Sequence, residues 1–456
     1  MERSPRFAGL AAAVLLAACG GGGDGRPPNV LLYVVDTLRA AALAAYGNPV
    51  VDTPAADALA AEGALFERAY APSSWTRASL ATVLTGLHPR SHGVRGRSGL
   101  LAAALETLPE RFADAGYATG GIIANPNVGS AFGFDQGWDA YVELYARRDV
   151  GRVTSRELAV RSDVVTDRAI AWLDAAPEPF FLFVLPIDPH WPYEPPAGFD
   201  RYGGAYDGPL RDDLKGALAM KLTPADRARV RSLYDGEVAA NDAAFGRLMR
   251  HLRDRGLDGR TLVVFTSDHG EEFWEHGRTF HGKALFEESI RVPLIVRDPG
   301  RIRAGLRVET PVGLVDLAPT LLSLAGLPVP DDLDGRPLPT GETREGRAVH
   351  AGLALDEHHG EALLAPPWKL LLDPTTGRRW LFHLERDPRE SHDLSEEAPD
   401  RADALFRRMT ARIVKAEARR THLVGDAHAI VPDDAVPEAT REALKALGYV
   451  DEGGAP

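Results

Sequence analysis

Short apolar runs separated by longer polar, helix-forming stretches set the rhythm of this chain. Val30–Val35, Tyr117–Ile123, Phe180–Ile187, Leu262–Phe265 and Pro293–Val296 are apolar or β-rich throughout, and the pattern predicts buried strands. Between them, Thr53–Phe66 reads as a helix followed by a short apolar stretch. Ala71–Gly86 begins as a loop and continues as a helix, with Gly86 as its stop. Leu105–Gly116, Val164–Leu173, Pro224–Arg255 and Leu314–Leu324 carry helical patterns. Strands apolar on both faces and alternating with helices predict an α/β fold, a mostly parallel central sheet covered by helices on both faces. After about Pro339 the texture changes. Trp368–Asp373 and Arg379–Leu384 flank Gly377 as a β-hairpin, and Ala398–Arg420 reads as a charged amphipathic helix. The expected organisation is a large domain over 29–339, a small C-terminal antiparallel α+β subdomain over 340–425, and a surface-bound tail over 426–456.

The polar residues that interrupt this pattern fall where strands end. Asp36 ends the first, Asn125 follows the second, Asp188 and His190 follow the third, and Asp268-His269 stop the fourth. A parallel sheet collects such ends on one edge, so residues distant in sequence converge there. Carboxylates beside imidazoles suit a divalent cation. His269 favours Zn or Mn, which take mixed nitrogen and oxygen sets, while Ca prefers oxygen.

The 456 residues carry a net charge of −13 and no long basic run, which argues against nucleic acid as a partner and against adsorption to anionic lipid. The first residues have a different character. Arg3 and Arg6 precede a short apolar stretch, Ala8–Ala18, that ends in Leu16-Ala17-Ala18-Cys19 and a Gly-rich linker over 19–28. This resembles a bacterial lipoprotein signal, with residues 1–18 removed and Cys19 acylated. The resemblance implies a protein of the bacterial cell envelope held to the membrane through the lipid anchor alone, facing the periplasm from the outer membrane if the cell is Gram-negative. Cys19 is the only cysteine in the chain, so an internal disulfide, a Cys ligand and a Cys nucleophile are all excluded from the mature body.

Longer motifs occur in a fixed order: Pro28–Arg39, Ser74-Trp75-Thr76-Arg77 running to Leu84-Thr85-Gly86, Asp188–Tyr193, Phe265–Glu271, Glu287–Pro293, Leu314–Thr320 and Asp387–Glu390. In that order and spacing the chain resembles the sulfatase family of the alkaline phosphatase superfamily over nearly its whole mature length. The resemblance implies a metal-dependent hydrolase of sulfate or phosphate esters. Asp36, Asp268, His269 and Thr76 match the family's metal ligands. Thr76, ten residues before the Gly of Leu-Thr-Gly, matches its nucleophile. His190 and His281 match groups serving a second metal or the substrate anion, and Lys283 matches the Lys that contacts the anion. Asn125, Asp188 and Trp191 are expected at the substrate, although Trp191 and Tyr193 fit core packing equally well. His276, His358, His359, His422 and His428 read as surface or structural residues.

Thr76 is the main departure. Sulfatases of the usual kind carry Cys or Ser there in Cys-x-Pro-x-Arg and mature it to formylglycine. This chain has Thr76-Arg77-Ala78-Ser79-Leu80, so no formylglycine is expected. A shifted match of Ser73 with Arg77 lacks the Pro and breaks the spacing to Gly86. Other branches of the superfamily use an unmodified, metal-activated Thr. Thr37, Leu185 and the missing Lys-x-His after the Tyr117–Ile123 strand are further departures. The chemistry expected is in-line attack by Thr76 and a covalent Thr ester. Thr76 favours phosphate esters and the overall resemblance favours sulfate esters. A phosphoethanolamine-type transferase and a non-catalytic envelope binding protein on the same fold are the alternatives.

Overall fold

The computed structural model describes residues 25–146, 160–211, 221–339, 347–425, 430–447 and 449. Cys19, its leader and His428 lie outside the described residues. In chain order the strands are β1 (Asn29–Val35), β2 (Ala64–Phe66), β3 (Ala69–Tyr70), β4 (Ala118–Ile123), β5 (Ala140–Glu143), β6 (Phe180–Leu185), β7 (Thr261–Ser267), β8 (Glu272–Phe273), β9 (Thr279–Phe280), β10 (Arg291–Val292), β11 (Leu294–Arg297), β12 (Leu306–Val308), β13 (Val312–Gly313), β14 (Val349–Leu355), β15 (His358–Ala365), β16 (Trp368–Leu372) and β17 (Arg379–His383). Eight of them form one sheet in the order β12-β2-β11-β7-β1-β6-β4-β5. The centre, β7-β1-β6-β4-β5, is parallel throughout. β11, the Pro293–Val296 run of the sequence pattern, runs antiparallel to β7 and β2.

The continuously apolar runs are explained by cover on both faces. Phe180 meets Trp172 of the Ser162–Ala175 helix edge-on, while the next residue, Phe181, stacks on Phe112 of the Leu108–Asp114 helix at 4.5 Å and on Trp138 at 5.4 Å. Successive side chains of a strand point to opposite faces, so each face needs its own apolar residues. The 31-residue helix Pro224–Asp254 covers β1, with Phe245 4.9 Å from Tyr33. β4 carries a Gly-Gly pair that weakens an isolated strand, and the reason is steric. A Cβ on Gly120 would lie 2.4 Å from Trp172, and one on Gly121 2.5 Å from Tyr141.

β14–β17 form the expected antiparallel appendage. The predicted hairpin is β16 and β17, whereas β14 and β15 carried no signal in the apolar pattern. Leu363, Leu370 and Leu381 of this sheet bury against Ala402, Leu405 and Met409 of the Pro399–Val424 helix, a second, smaller core. The described part of the chain's end is bound to the body. Ile430 bridges Gly99, the Val431 amide donates to the Ser98 carbonyl at 2.8 Å, and the Glu438–Ala446 helix buries Thr440, Ala443 and Leu444. Among the described residues no helix is long and apolar enough to cross a membrane.

Candidate active site

β7, β1, β6 and β4 are parallel neighbours, so their carboxyl ends deliver Asp268-His269, Asp36, His190 and Asn125 to one edge of the sheet. At its centre the ligand atoms of Asp36, Asp268 and His269 lie within 4.8 Å of one another, and all three residues are fully buried. Their surroundings hold these side chains in place. Asp268 Oδ1 accepts from the amides of Thr37 at 3.1 Å and His269 at 2.8 Å. Asn125 Nδ2 donates to Asp36 Oδ2. His269 Nδ1 donates to the Gly270 carbonyl at 2.9 Å, which fixes the tautomer and leaves Nε2 with a lone pair.

The remaining oxygens, Asp36 Oδ1 and Asp268 Oδ2, are buried without a hydrogen-bond partner. Burial, then the charge of Asp268, pushes Asp36 well above the usual carboxylate range. Two buried carboxylates, two orphaned oxygens and one imidazole lone pair are the donor set of a divalent-cation site, and these residues fit that group. His190 and His281 are not part of this cluster.

Thr76 is the first residue of the Thr76–Thr85 helix, which Gly86 ends in the left-handed conformation at φ 71°, as the sequence predicted. Thr76 Oγ1 lies 3.1 Å from His269 Nε2, so the hydroxyl sits against the carboxylate cluster and at a helix N-terminus together. Ser79 Oγ, one turn on, donates to the Asp268 carbonyl at 2.6 Å and ties the helix to the end of β7. Buried Arg77 points elsewhere, donating to the Asn127 carbonyl at 2.9 Å and packing over the Phe132 ring.

An imidazole wall lines the other side. The His281 ring centroid is 4.6 Å from that of His269 and 4.9 Å from that of His190. His281 Nδ1 is 3.0 Å from Glu271 Oε1, and Tyr193 donates to Glu271 Oε2 at 3.0 Å. Burial pushes the Glu271 carboxyl up to about 8 and holds His281 and His190 well below the usual imidazole range. His190 Nδ1 donates to the Trp191 carbonyl at 2.5 Å, leaving a buried Nε2 without a hydrogen-bond partner. Lys283 Nζ lies 5.7 Å from the Phe280 ring, and its charge is felt at His281.

Three expected substrate contacts have other duties. Asp188 Oδ2 accepts from the amide and the hydroxyl of Ser162, both at 2.7 Å, and so secures the start of the Ser162–Ala175 helix. Trp191 packs edge-on against Tyr193 and Phe280. Asn125 spends its amide on Asp36 and, at 2.9 Å, on the hydroxyl of Tyr449. Tyr449 and Glu271 are site residues that sequence reasoning missed. Glu271 stood inside the Phe265–Glu271 motif without a role, whereas Tyr449 carried no signal. Thr37, noted as a departure, sits at φ 54°, a left-handed conformation that Asn and Asp tolerate best.

With this geometry in view, the likeness to known proteins has a physical basis. The Sulfatase family model matches residues 28–327. An arylsulfatase of Clostridium perfringens is 27% identical over 449 residues, covering 83% of this chain and 92% of that protein. Arylsulfatase K of Bos taurus is 27% identical, covering 85% and 82%. The crystal structure of a phosphonate monoester hydrolase of Agrobacterium radiobacter superposes with a TM-score of 0.70 at 24% identity, covering 86% of this chain and 96% of that one. A structure solved in complex with its substrate D-glucosamine-2-N,6-O-disulfate superposes at 0.73 with 21% identity, covering 86% and 99%. The chain therefore belongs to the sulfatase family and shares its fold with sulfatase and phosphonate monoester hydrolase structures.

Proposed function

We propose that this protein cleaves sulfate or phosphate esters through a covalent ester on Thr76, next to a divalent cation held by Asp36, Asp268 and His269. One observation carries the reading: the Thr76 hydroxyl lies 3.1 Å from His269 Nε2, at the start of a helix and beside two buried carboxylate oxygens without hydrogen-bond partners. When bound, the cation would supply positive charge against the Thr76 oxygen and the ester oxygens. Thr76 Oγ1 attacks phosphorus or sulfur in line, and the bond to the leaving oxygen breaks as the Thr ester forms. Free N–H groups at the helix start favour the anionic group there. His190, with Nδ1–H committed to Trp191 and Nε2 open, is suited to take a proton from the water that cleaves the Thr ester. Lys283 offers positive charge to the departing oxygen. The arylsulfatases among the relatives favour sulfate esters, and an unmodified Thr favours phosphate esters.

The test is Thr76→Ala against a panel of aryl sulfate, phosphate monoester, phosphate diester and phosphonate substrates. Turnover should fall about 10³-fold or more, and Thr76→Ser should keep part of it. Peptide mass analysis of trapped enzyme should show a phosphoryl or sulfuryl adduct on Thr76. An aldehyde at Ser73, Ser74 or Ser79 would overturn the Thr mechanism. The Leu16-Ala17-Ala18-Cys19 sequence supports lipid attachment at Cys19 and an envelope location. Cys19→Ser should move the protein from the membrane to the soluble fraction, and unchanged partitioning would count against the anchor.

A further inference from the structure

We propose that Tyr449 is a working residue of the active site, its phenolic O–H donating a hydrogen bond to the anionic group of the ester. The inference rests on the Thr76 reading above and adds a residue from the far end of the chain. Tyr449 is 3% exposed. Its ring lies against Trp75 at 5.3 Å, edge-on, against His190 at 4.9 Å and against His281 at 6.2 Å, so it packs among the residues that surround the nucleophile. Its hydroxyl enters the polar edge of the sheet. Asn125 Nδ2 donates to that oxygen at 2.9 Å while also donating to Asp36.

The direction of these bonds matters. An oxygen that accepts from Asn125 keeps its own hydrogen to give away, at the sheet edge that carries Asp36 and His190. A donor fixed there before the substrate arrives strengthens as negative charge builds on the transferred group.

The placement is built rather than incidental. The Tyr449 amide donates to the Leu444 carbonyl at 2.9 Å, which closes the Glu438–Ala446 helix. Ala443, Leu444 and Leu447 are buried, and the segment before this helix is pinned by the Ile430–Gly99 bridge. The hydroxyl oxygen accepts from the side chain that also holds Asp36.

The full-length protein with Tyr449→Phe keeps the ring and loses the hydroxyl. The expected result is a fall in kcat/KM of about 10- to 100-fold on whichever ester the wild type turns over, with an unchanged melting temperature. Tyr449→His, which restores a ring donor, should lose less than Tyr449→Phe. Orthovanadate, an analogue of the transition state, should bind more weakly to Tyr449→Phe than to wild type, by a larger factor than inorganic phosphate does. An unchanged kcat/KM overturns the proposal, because the hydroxyl then takes no part. A raised kcat/KM also overturns it, because the tail then obstructs the site. Equal losses in the Phe and His variants do the same. If the wild type cleaves no ester in the panel, the proposed function falls, and the vanadate-to-phosphate comparison still decides Tyr449: an unchanged ratio overturns its role.

Discussion

Two buried charge clusters among the described residues are built on opposite principles. In the first, Asp36 and Asp268 face each other with His269, and an oxygen of each carboxylate has no hydrogen-bond partner. In the second, Lys369 of β16 lies between Glu287 at 3.1 Å and Glu390 at 2.8 Å, and Glu390 also accepts from the Glu287 amide at 2.6 Å. Lys369 and Glu390 are as deeply buried as Asp36. The second cluster supplies its own cation and joins the appendage to the large domain, since Glu287 precedes β10 while Lys369 belongs to the C-terminal sheet. The first cluster has no such side-chain cation, and its donor set could hold a divalent one. Burial alone therefore says little about role. Whether the chain supplies the counter-charge distinguishes the Lys369 clamp from the Asp36–Asp268 pair.

The largest effect on stability is expected from opening the closed cluster. Lys369→Ala would leave Glu287 and Glu390 without their cation and should cost about 3–5 kcal/mol, read by denaturant unfolding. Cation affinity per folded molecule should stay as in wild type, and a large change in it would mean the two clusters are coupled.

The open cluster should respond with the opposite sign. In chelator, Asp36→Asn removes a carboxylate whose protonated form the fold favours. The variant should melt above the wild type without divalent cation and gain less than wild type when Zn or Mn is added. A variant that melts lower in chelator would mean Asp36 is stabilising on its own.

Glu272 sharpens the contrast as a buried carboxyl whose hydrogen-bond partner is neutral Ser289. Burial raises it from 4.5 to about 7. Between those values the folded protein binds more protons than the unfolded chain. This group's contribution to stability is thus complete below about 4.5 and is lost as pH rises to about 7. Glu272→Gln should flatten that part of the stability–pH curve, and an unaltered slope would assign the titration elsewhere.

The smallest effect concerns the turn after β1. Thr37, at φ 54° with a buried Oγ1 that lacks a hydrogen-bond partner, should be replaceable by Asn with a gain of about 1 kcal/mol in chemical denaturation. A loss would show that the Thr methyl packs usefully.

What the sequence determined by itself was the sheet, its direction and the donors at its edge. Runs apolar on both faces belong to strands covered on both sides, and parallel strands end together. Asp36, Asp268 and His269 could therefore be placed side by side from strand ends alone, whereas Thr76 followed only from the family resemblance. What only the tertiary structure decided was how each polar side chain spends its hydrogen bonds. Asp188 and Asn125 end strands as Asp36 does, yet one secures the start of a helix and the other holds Asp36. No local pattern distinguishes a carboxylate that is satisfied from one that is not. Trp191 was likewise assigned to the substrate by motif and positioned in packing by the fold. Tyr449 shows the limit most plainly. Its role depends on the Glu438–Ala446 helix docking near the ends of β4 and β5, a contact across more than 300 residues. Local periodicity carries no information about such a contact, because complementary shape and buried area, not spacing along the chain, decide where a terminal helix lies.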